Sequence, residues 1–144
     1  MPVVRNAQFN FREGFCWSDI NTTYLKCRIK GKSVNDVKSM SLYGISDSVP
    51  EFYFVALINS TLFSYYVDSF VNNTQTFQIN DARQLPILVP TEVQVKQVKE
   101  IYDSAILVKK QEFSNQLAYD NAEEKLADLQ NKLDNLVYSL YGIQ

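Results

Sequence analysis

Positively charged side chains recur at every second position along one short stretch of the chain. The residues are Lys26, Arg28 and Lys30, which alternate with Leu25, Cys27 and Ile29, and Lys32 follows after Gly31. Because successive side chains of a β-strand point to opposite faces, this spacing predicts a strand with one basic and one apolar face. A row of cations suits contacts to phosphates along a nucleic-acid groove. An ordinary solvated surface explains the same pattern.

Amide side chains form a second polar cluster after the middle of the chain. Asparagine and glutamine can pair with adenine edges in the major groove, although turn and strand polarity is the simpler explanation of such residues. Together with the cations they make up the candidate DNA-binding residues: Arg12, Lys26, Arg28, Lys30, Lys32, Lys38, Asn72, Asn73, Gln75 and Gln78.

The charge of the chain is distributed unevenly. Residues 1–40 hold seven basic and three acidic residues, whereas residues 41–90 and 91–144 each carry a net charge of −3. A basic front and an acidic remainder favour a polyanion as the partner of the N-terminal part.

Several chemistries are excluded by the residues that are missing. The chain has no histidine, which removes Ser-His-Asp and Cys-His catalysis and histidine-bearing metal sites. It also lacks a glycine-rich phosphate loop, a zinc-ligand spacing and a nucleophile elbow. Cys16 and Cys27 could bridge a β-hairpin, but two buried or half-buried thiols are the favoured interpretation. We therefore predict a binding module without catalytic residues, metal or cofactor.

No membrane segment is expected. The longest apolar run, residues 52–58, is far shorter than the ~18 residues that a membrane span needs. A signal peptide has a basic stretch followed by an apolar core, and the first residues of this chain do not have that pattern. A cytoplasmic location is the resulting prediction.

The middle of the chain predicts a buried helix. Ser48-Val-Pro-Glu51 has the spacing of a capping box with proline in the first turn. The helix that would follow, over residues 50–68, is apolar on most of its circumference, as in a core helix. Asn59, Ser60 and Thr61 interrupt its apolar surface, and these polar groups need partners if they are buried.

The last third of the chain predicts long helices. Thr91-Glu-Val-Gln94 forms a second capping box, and no glycine or proline follows until Gly142, which is typical of a residue that ends a helix. Apolar residues recur at alternating intervals of three and four, as in a coiled-coil seam, across a polar patch at residues 111–116. The unbroken phase allows one continuous helix of ~75 Å. We favour an antiparallel hairpin because so long a helix needs a partner to cover it.

Several short motifs resemble the target-recognition region of restriction-modification enzymes. They are Phe11-Arg-Glu-Gly-Phe-Cys-Trp-Ser18, Leu57-Ile-Asn-Ser-Thr-Leu-Phe-Ser-Tyr-Tyr66, Asn73-Thr-Gln-Thr-Phe-Gln78, Leu85-Pro-Ile87 and Leu133-Asp-Asn-Leu-Val-Tyr-Ser-Leu-Tyr-Gly142. Their order is similar to that in the C-terminal, Taq-type specificity domain of type II (IIG/IIS) restriction-methyltransferases. Phage-defence adenine methyltransferases of the BREX type and type I specificity subunits are also similar.

This resemblance implies a recognition domain that acts beside catalytic domains. Upstream nuclease and adenine methyltransferase domains would carry the catalysis and bind S-adenosylmethionine and magnesium, and duplex DNA would be the partner of this region. The expected fold is α+β. Residues 1–90 would form a small irregular β-rich lobe with the core helix, and residues 91–144 a helical spacer.

One alternative needs no DNA. The leucine seam over residues 126–140 could pair with a second copy of the chain, which would make this region a coiled-coil dimerisation module. A homodimer through the C-terminal helices is also compatible with DNA recognition.

Overall fold

The computed structural model describes residues 7–18, 20, 24–34, 39–43, 48–74 and 76–143. Within these residues the chain has the predicted α+β fold. Its elements are a 3₁₀ turn at Ala7–Phe9, strands β1 Gly14–Ser18, β2 Cys27–Lys30 and β3 Ser39–Leu42, and helices α1 Glu51–Ile58, α2 Thr61–Tyr66, α3 Ile79–Ala82, α4 Glu92–Phe113 and α5 Tyr119–Leu140. A π-helical turn, Val67–Val71, directly continues α2.

The three strands form one antiparallel sheet in the order β2-β1-β3. The alternation of β1 directs Phe15 and Trp17 into the hydrophobic core, where Trp17 is completely buried. Its indole Nε1 donates a hydrogen bond of 2.7 Å to the carbonyl oxygen of Phe77. Phe9 and Phe11 alternate with Asn10 as residues of a strand do, but neither belongs to the sheet. Phe9 ends the 3₁₀ turn and Phe11 lies in the following turn.

The core helix differs from the prediction because it is broken. A single helix over residues 50–68 is wrong: α1 ends at Ile58 and α2 begins at Thr61. The axes of the two helical segments differ by 64°. Ser60 caps α2, since its hydroxyl oxygen accepts the Phe63 N–H at 3.4 Å. The polar interruption is therefore a helix boundary.

The predicted start of this helix is also displaced. The residue at the N-cap is Pro50, which has an extended conformation and no side-chain capping bond, so a capping box from Ser48 to Glu51 does not form. Proline precedes the first turn of α1 instead of lying in it.

The two long helices form the hairpin that the sequence favours. The capping box at their start is confirmed, because the Thr91 side chain accepts the Gln94 N–H and the Gln94 side chain accepts the Thr91 N–H. Asn115 and Gly142 follow the two helices with φ angles of 57° and 66°. The left-handed conformation directs later N–H groups back to the last helical carbonyls, which ends each helix.

The hairpin packs on α1, which separates it from the sheet. Phe54 of α1 stacks on Phe15 of β1 at 5.7 Å between ring centroids, and Phe52 contacts Tyr102 of α4 at 5.8 Å. Contact on opposite sides explains why α1 is apolar almost all round. Among the described helices, no single one is both long and apolar enough to cross a membrane.

Candidate nucleic-acid interface

The edge strand β2 carries the central part of the predicted basic surface. Its register pairs Arg28 with Cys16 and Lys30 with Gly14, so Arg28 and Lys30 lie on the same face of the sheet. Lys26, directly before the strand, and Arg28 are exposed. Both side chains are therefore open to a ligand.

Lys30 departs from this surface because it is buried. Only 7% of the residue is exposed. Its ammonium donates to the carbonyl oxygens of Ser33, Gly31 and Arg12 at 2.9, 3.3 and 3.4 Å. It also lies 5.5 Å from the centre of the Tyr43 ring. The assignment of Lys30 to an exposed basic face is therefore wrong: its charge is satisfied by the protein itself.

Glycine at position 14 lets the end of β3 and Tyr43 pack closely on β1. A Cβ atom at Gly14, which pairs with Lys30, would approach the Leu42 carbonyl oxygen to 2.2 Å and the Tyr43 ring to 2.9 Å. The Lys30 ammonium lies beside this Tyr43 ring. Through its carbonyl partners the ammonium joins the loop before β1 to the turn after β2.

Arg12 is exposed but held in place. Its guanidinium lies 5.5 Å from the Phe9 ring centre and 5.7 Å from the Tyr43 ring centre. These two rings are stacked on each other at 5.7 Å. A guanidinium that packs on aromatic faces keeps its charge and hydrogen-bond donors, so Arg12 stays available to a phosphate or a base edge.

The exposed cations of this region are unpaired within the described part of the chain. They are Arg12, Lys26, Arg28 and Lys32. The predicted residue Lys38 lies outside the described residues. The ion pairs found among described residues all lie in the helical hairpin, between Lys99 and Asp103 and between Lys109 and both Glu112 and Glu123. The sheet therefore presents positive charge that an external anion can neutralise.

The amide cluster divides into structural and exposed side chains. The Asn72 amide donates to the Thr76 carbonyl oxygen and to Asp81, while its oxygen accepts from the Thr74 N–H. These bonds close the turn, so Asn72 supports the structure and is not free to read a base. Asn73 and Gln78 are exposed, and Gln75 lies outside the described residues.

Asn59 is a polar residue whose role the sequence does not reveal. Its side-chain oxygen accepts the Cys27 N–H at 2.7 Å, and its amide donates to the Cys27 carbonyl at 2.8 Å. One side chain thus pairs with the edge of β2 as a neighbouring strand would. The Asn59 carbonyl in turn accepts from Gln130 of α5 at 3.2 Å. The only sequence signal was that a polar group interrupts an apolar helix.

Two hydrogen bonds reinforce the link between the helix break and α5. Asp134 accepts from the backbone N–H and from the hydroxyl of Thr61, both at 2.8 Å. The exposed strand β2 is therefore connected through residues 59–61 to the helical hairpin.

The two cysteines are free and buried, as predicted. Burial, with a smaller effect of Cys16, raises the pKa of Cys27 to about 12. The thiolate is the nucleophilic form of cysteine, so Cys27 is unreactive near neutral pH. Within the described residues, no group of three or more acidic or cysteine side chains is arranged to hold a metal ion.

Comparison with solved structures shows where a similar fold occurs. The chain superposes on part of MmeI, a type IIL restriction-modification enzyme solved in complex with DNA, with a TM-score of 0.66 over 92% of the present chain. The two therefore share a fold in this part. The two sequences are only 13% identical, and this chain spans 19% of the MmeI chain. No family model and no curated protein sequence matches this chain.

Proposed function

We propose that this chain is a DNA sequence-recognition region of a restriction-modification enzyme, of the specificity-domain type. It binds duplex DNA and thereby directs adenine methylation or cleavage by other domains. The observation that carries the proposal is the shared fold with part of a restriction-modification enzyme whose structure contains DNA. The exposed, unpaired cations on and beside β2 give independent support.

The cations suit the non-specific part of DNA binding. Arg12, Lys26, Arg28 and Lys32 neutralise phosphates and release counterions, which sets the affinity and the register on the duplex. Base reading requires hydrogen-bonding groups that reach a groove. Arg12 and Arg28 can donate to guanine, and Asn73 and Gln78 can pair with adenine.

Catalysis belongs, in this proposal, to partner domains. S-adenosylmethionine and magnesium would be bound there, and this chain would contribute recognition only. The proposal includes a cytoplasmic location for the protein.

The alternative of a coiled-coil dimerisation module is not favoured. Its leucine seam is used within the chain: Leu133 and Val137 are buried, and Leu136 and Leu140 pack against the same core. The surface that a second copy would need is therefore occupied by α4 and by the remainder of the core.

A matched pair of triple variants tests the proposal. Lys26, Arg28 and Lys32 are changed to alanine in one protein, and the exposed hairpin residues Lys96, Lys125 and Lys132 in the other, so both lose the same charge. Binding to random-sequence duplexes is measured by fluorescence anisotropy over a range of salt concentrations. The slope of log affinity against log salt is negative, and each lost phosphate contact reduces its magnitude by about 0.9. The magnitude of the slope should therefore be about 2.7 smaller for the first variant.

The hairpin variant should keep the slope of the unchanged protein. Equal losses in both variants would mean that only net charge matters, and an absence of DNA binding by the unchanged chain would refute the proposed function. Selection from the random duplex pool, followed by sequencing, then tests whether one sequence is enriched.

A further inference from the structure

Phe11 has a backbone conformation that is unusual for a large side chain. Its φ angle is 60°, in the left-handed region. Bulky residues are rare there because Cβ approaches the following carbonyl oxygen. The side chain does not compensate by packing in the core, since 63% of the residue is exposed. Such an outlier in an exposed loop is a reason to look for a function.

The loop that carries Phe11 is held from two sides. The Phe11 N–H donates to the Ser33 carbonyl oxygen at 2.9 Å, and the buried Lys30 ammonium donates to that same oxygen and to the Arg12 carbonyl. Arg12 is further fixed by the stacked rings of Phe9 and Tyr43. The Phe11 ring is therefore presented to solvent by two loops that these hydrogen bonds join.

Two exposed cations are neighbours of Phe11 along the chain and across its loop contact. Arg12 follows Phe11 directly, and Lys32 precedes Ser33, whose carbonyl oxygen accepts the Phe11 N–H. Both are exposed and have no described ion-pair partner. An exposed apolar side chain with basic neighbours matches the side chains that enter a base step of duplex DNA while nearby cations bind the phosphates.

We propose that Phe11 inserts between adjacent base pairs of the bound duplex and kinks it, with Arg12 and Lys32 on the flanking phosphates. This inference rests on the proposed function and specifies its ligand contact. Lys30 then acts as a positioning residue, because it fixes the two loops without contacting DNA.

The decisive variant is Phe11→Gly. Glycine adopts a positive φ without steric strain, so this change removes the ring and should leave the melting temperature unchanged or higher. A Phe11→Trp variant keeps an aromatic ring. The control is Tyr65→Ala, which removes an aromatic side chain of similar exposure, 65%, from α2.

The probe is a duplex chosen by the unchanged protein from the random pool, with fluorophores at its ends that report bending by energy transfer. The unchanged protein, Phe11→Trp and Tyr65→Ala should bend the duplex. Phe11→Gly should bind the duplex about tenfold more weakly, because one stacking contact is lost. It should also leave the duplex straight.

Two results would overturn the insertion. One is equal affinity and bending by Phe11→Gly and the unchanged protein. The other is weaker binding of Phe11→Gly to a duplex that the unchanged protein does not bend, which would indicate a groove contact. If the unchanged protein binds no duplex, the proposed function fails first, so the two failures are distinguishable.

Discussion

The basic side chains of the sheet and those of the helical hairpin have different surroundings. In the hairpin, Lys99 lies 2.6 Å from Asp103, and Lys109 lies 2.8 Å from Glu112 and 3.3 Å from Glu123. The hydrogen bond that Lys109 donates to the Glu112 carboxylate raises the pKa of Lys109. Lys26, Arg28 and Lys32 have no such carboxylates among the described residues. The other hairpin lysines, Lys96, Lys110, Lys125 and Lys132, have no described ion pair either. They belong to a region of net charge −3, whereas residues 1–40 carry +4, so the surrounding charge separates the two surfaces and residue type does not.

Large apolar side chains are exposed in both regions. The hairpin buries its seam, with Val98 and Val137 fully inaccessible, but exposes Leu107, Phe113 and Tyr119, and the loops beside the sheet expose Phe11, Tyr24 and Val34. The regions differ in net charge, which is +4 for residues 1–40 and −3 for residues 91–144. Exposed rings among net positive charge suit a polyanionic partner better than exposed rings among net negative charge.

The largest effect is expected in the hairpin, from Leu133→Ala. Leu133 is 7% exposed and belongs to the core shared with the sheet. Removing a buried leucine side chain typically costs about 2–4 kcal/mol of unfolding free energy. Urea denaturation measures this, with the exposed neighbour Lys132→Ala as a control that should leave stability unchanged.

The same pair of variants tests the dimer alternative. Sedimentation should give one mass for the unchanged protein and for Leu133→Ala. A change from dimer to monomer with little loss of stability would show that the seam faces a second copy, contrary to the packing described here.

A smaller effect is expected at the link between the two regions, from Asn59→Ala. The change leaves the Cys27 N–H and carbonyl without their partners, and unsatisfied polar groups of this kind cost about 1–3 kcal/mol. The Cys27 amide should also exchange its hydrogen faster. Asn73→Ala, at an exposed position, is the matched control.

Stability and exchange together make this prediction specific. A loss of stability with unchanged Cys27 exchange would mean that Asn59 does not hold the edge of β2. Equal effects of Asn59→Ala and Asn73→Ala would remove the distinction between them.

The parts of the fold that were predictable depend on local interactions. The capping box at Thr91 and Gln94 and the glycine at Gly142 lie within a few residues of the groups they satisfy. The strand β2, Cys27–Lys30, likewise follows from the alternation of basic and apolar residues. The capping box at Ser48 failed because Pro50 occupies the N-cap position.

The parts that were missed depend on distant partners. Asn59 breaks the core helix while bonding to Cys27, 32 residues earlier, and Thr61 bonds to Asp134, 73 residues later. Lys30 lies on the expected face, but the loops and Tyr43 that cover it are not visible in its own strand. Sequence patterns predict which face of an element a side chain lies on, but they do not predict which distant residues pack over that face.

The central claim is that DNA binds to the sheet and its loops and that the hairpin supports them. Hydrogen–deuterium exchange of the chain, with and without the selected duplex, tests it most directly. The account predicts that DNA slows exchange around Phe11 and over residues 26–33, with no change along α4 and α5. Slower exchange confined to α4 and α5 would contradict it.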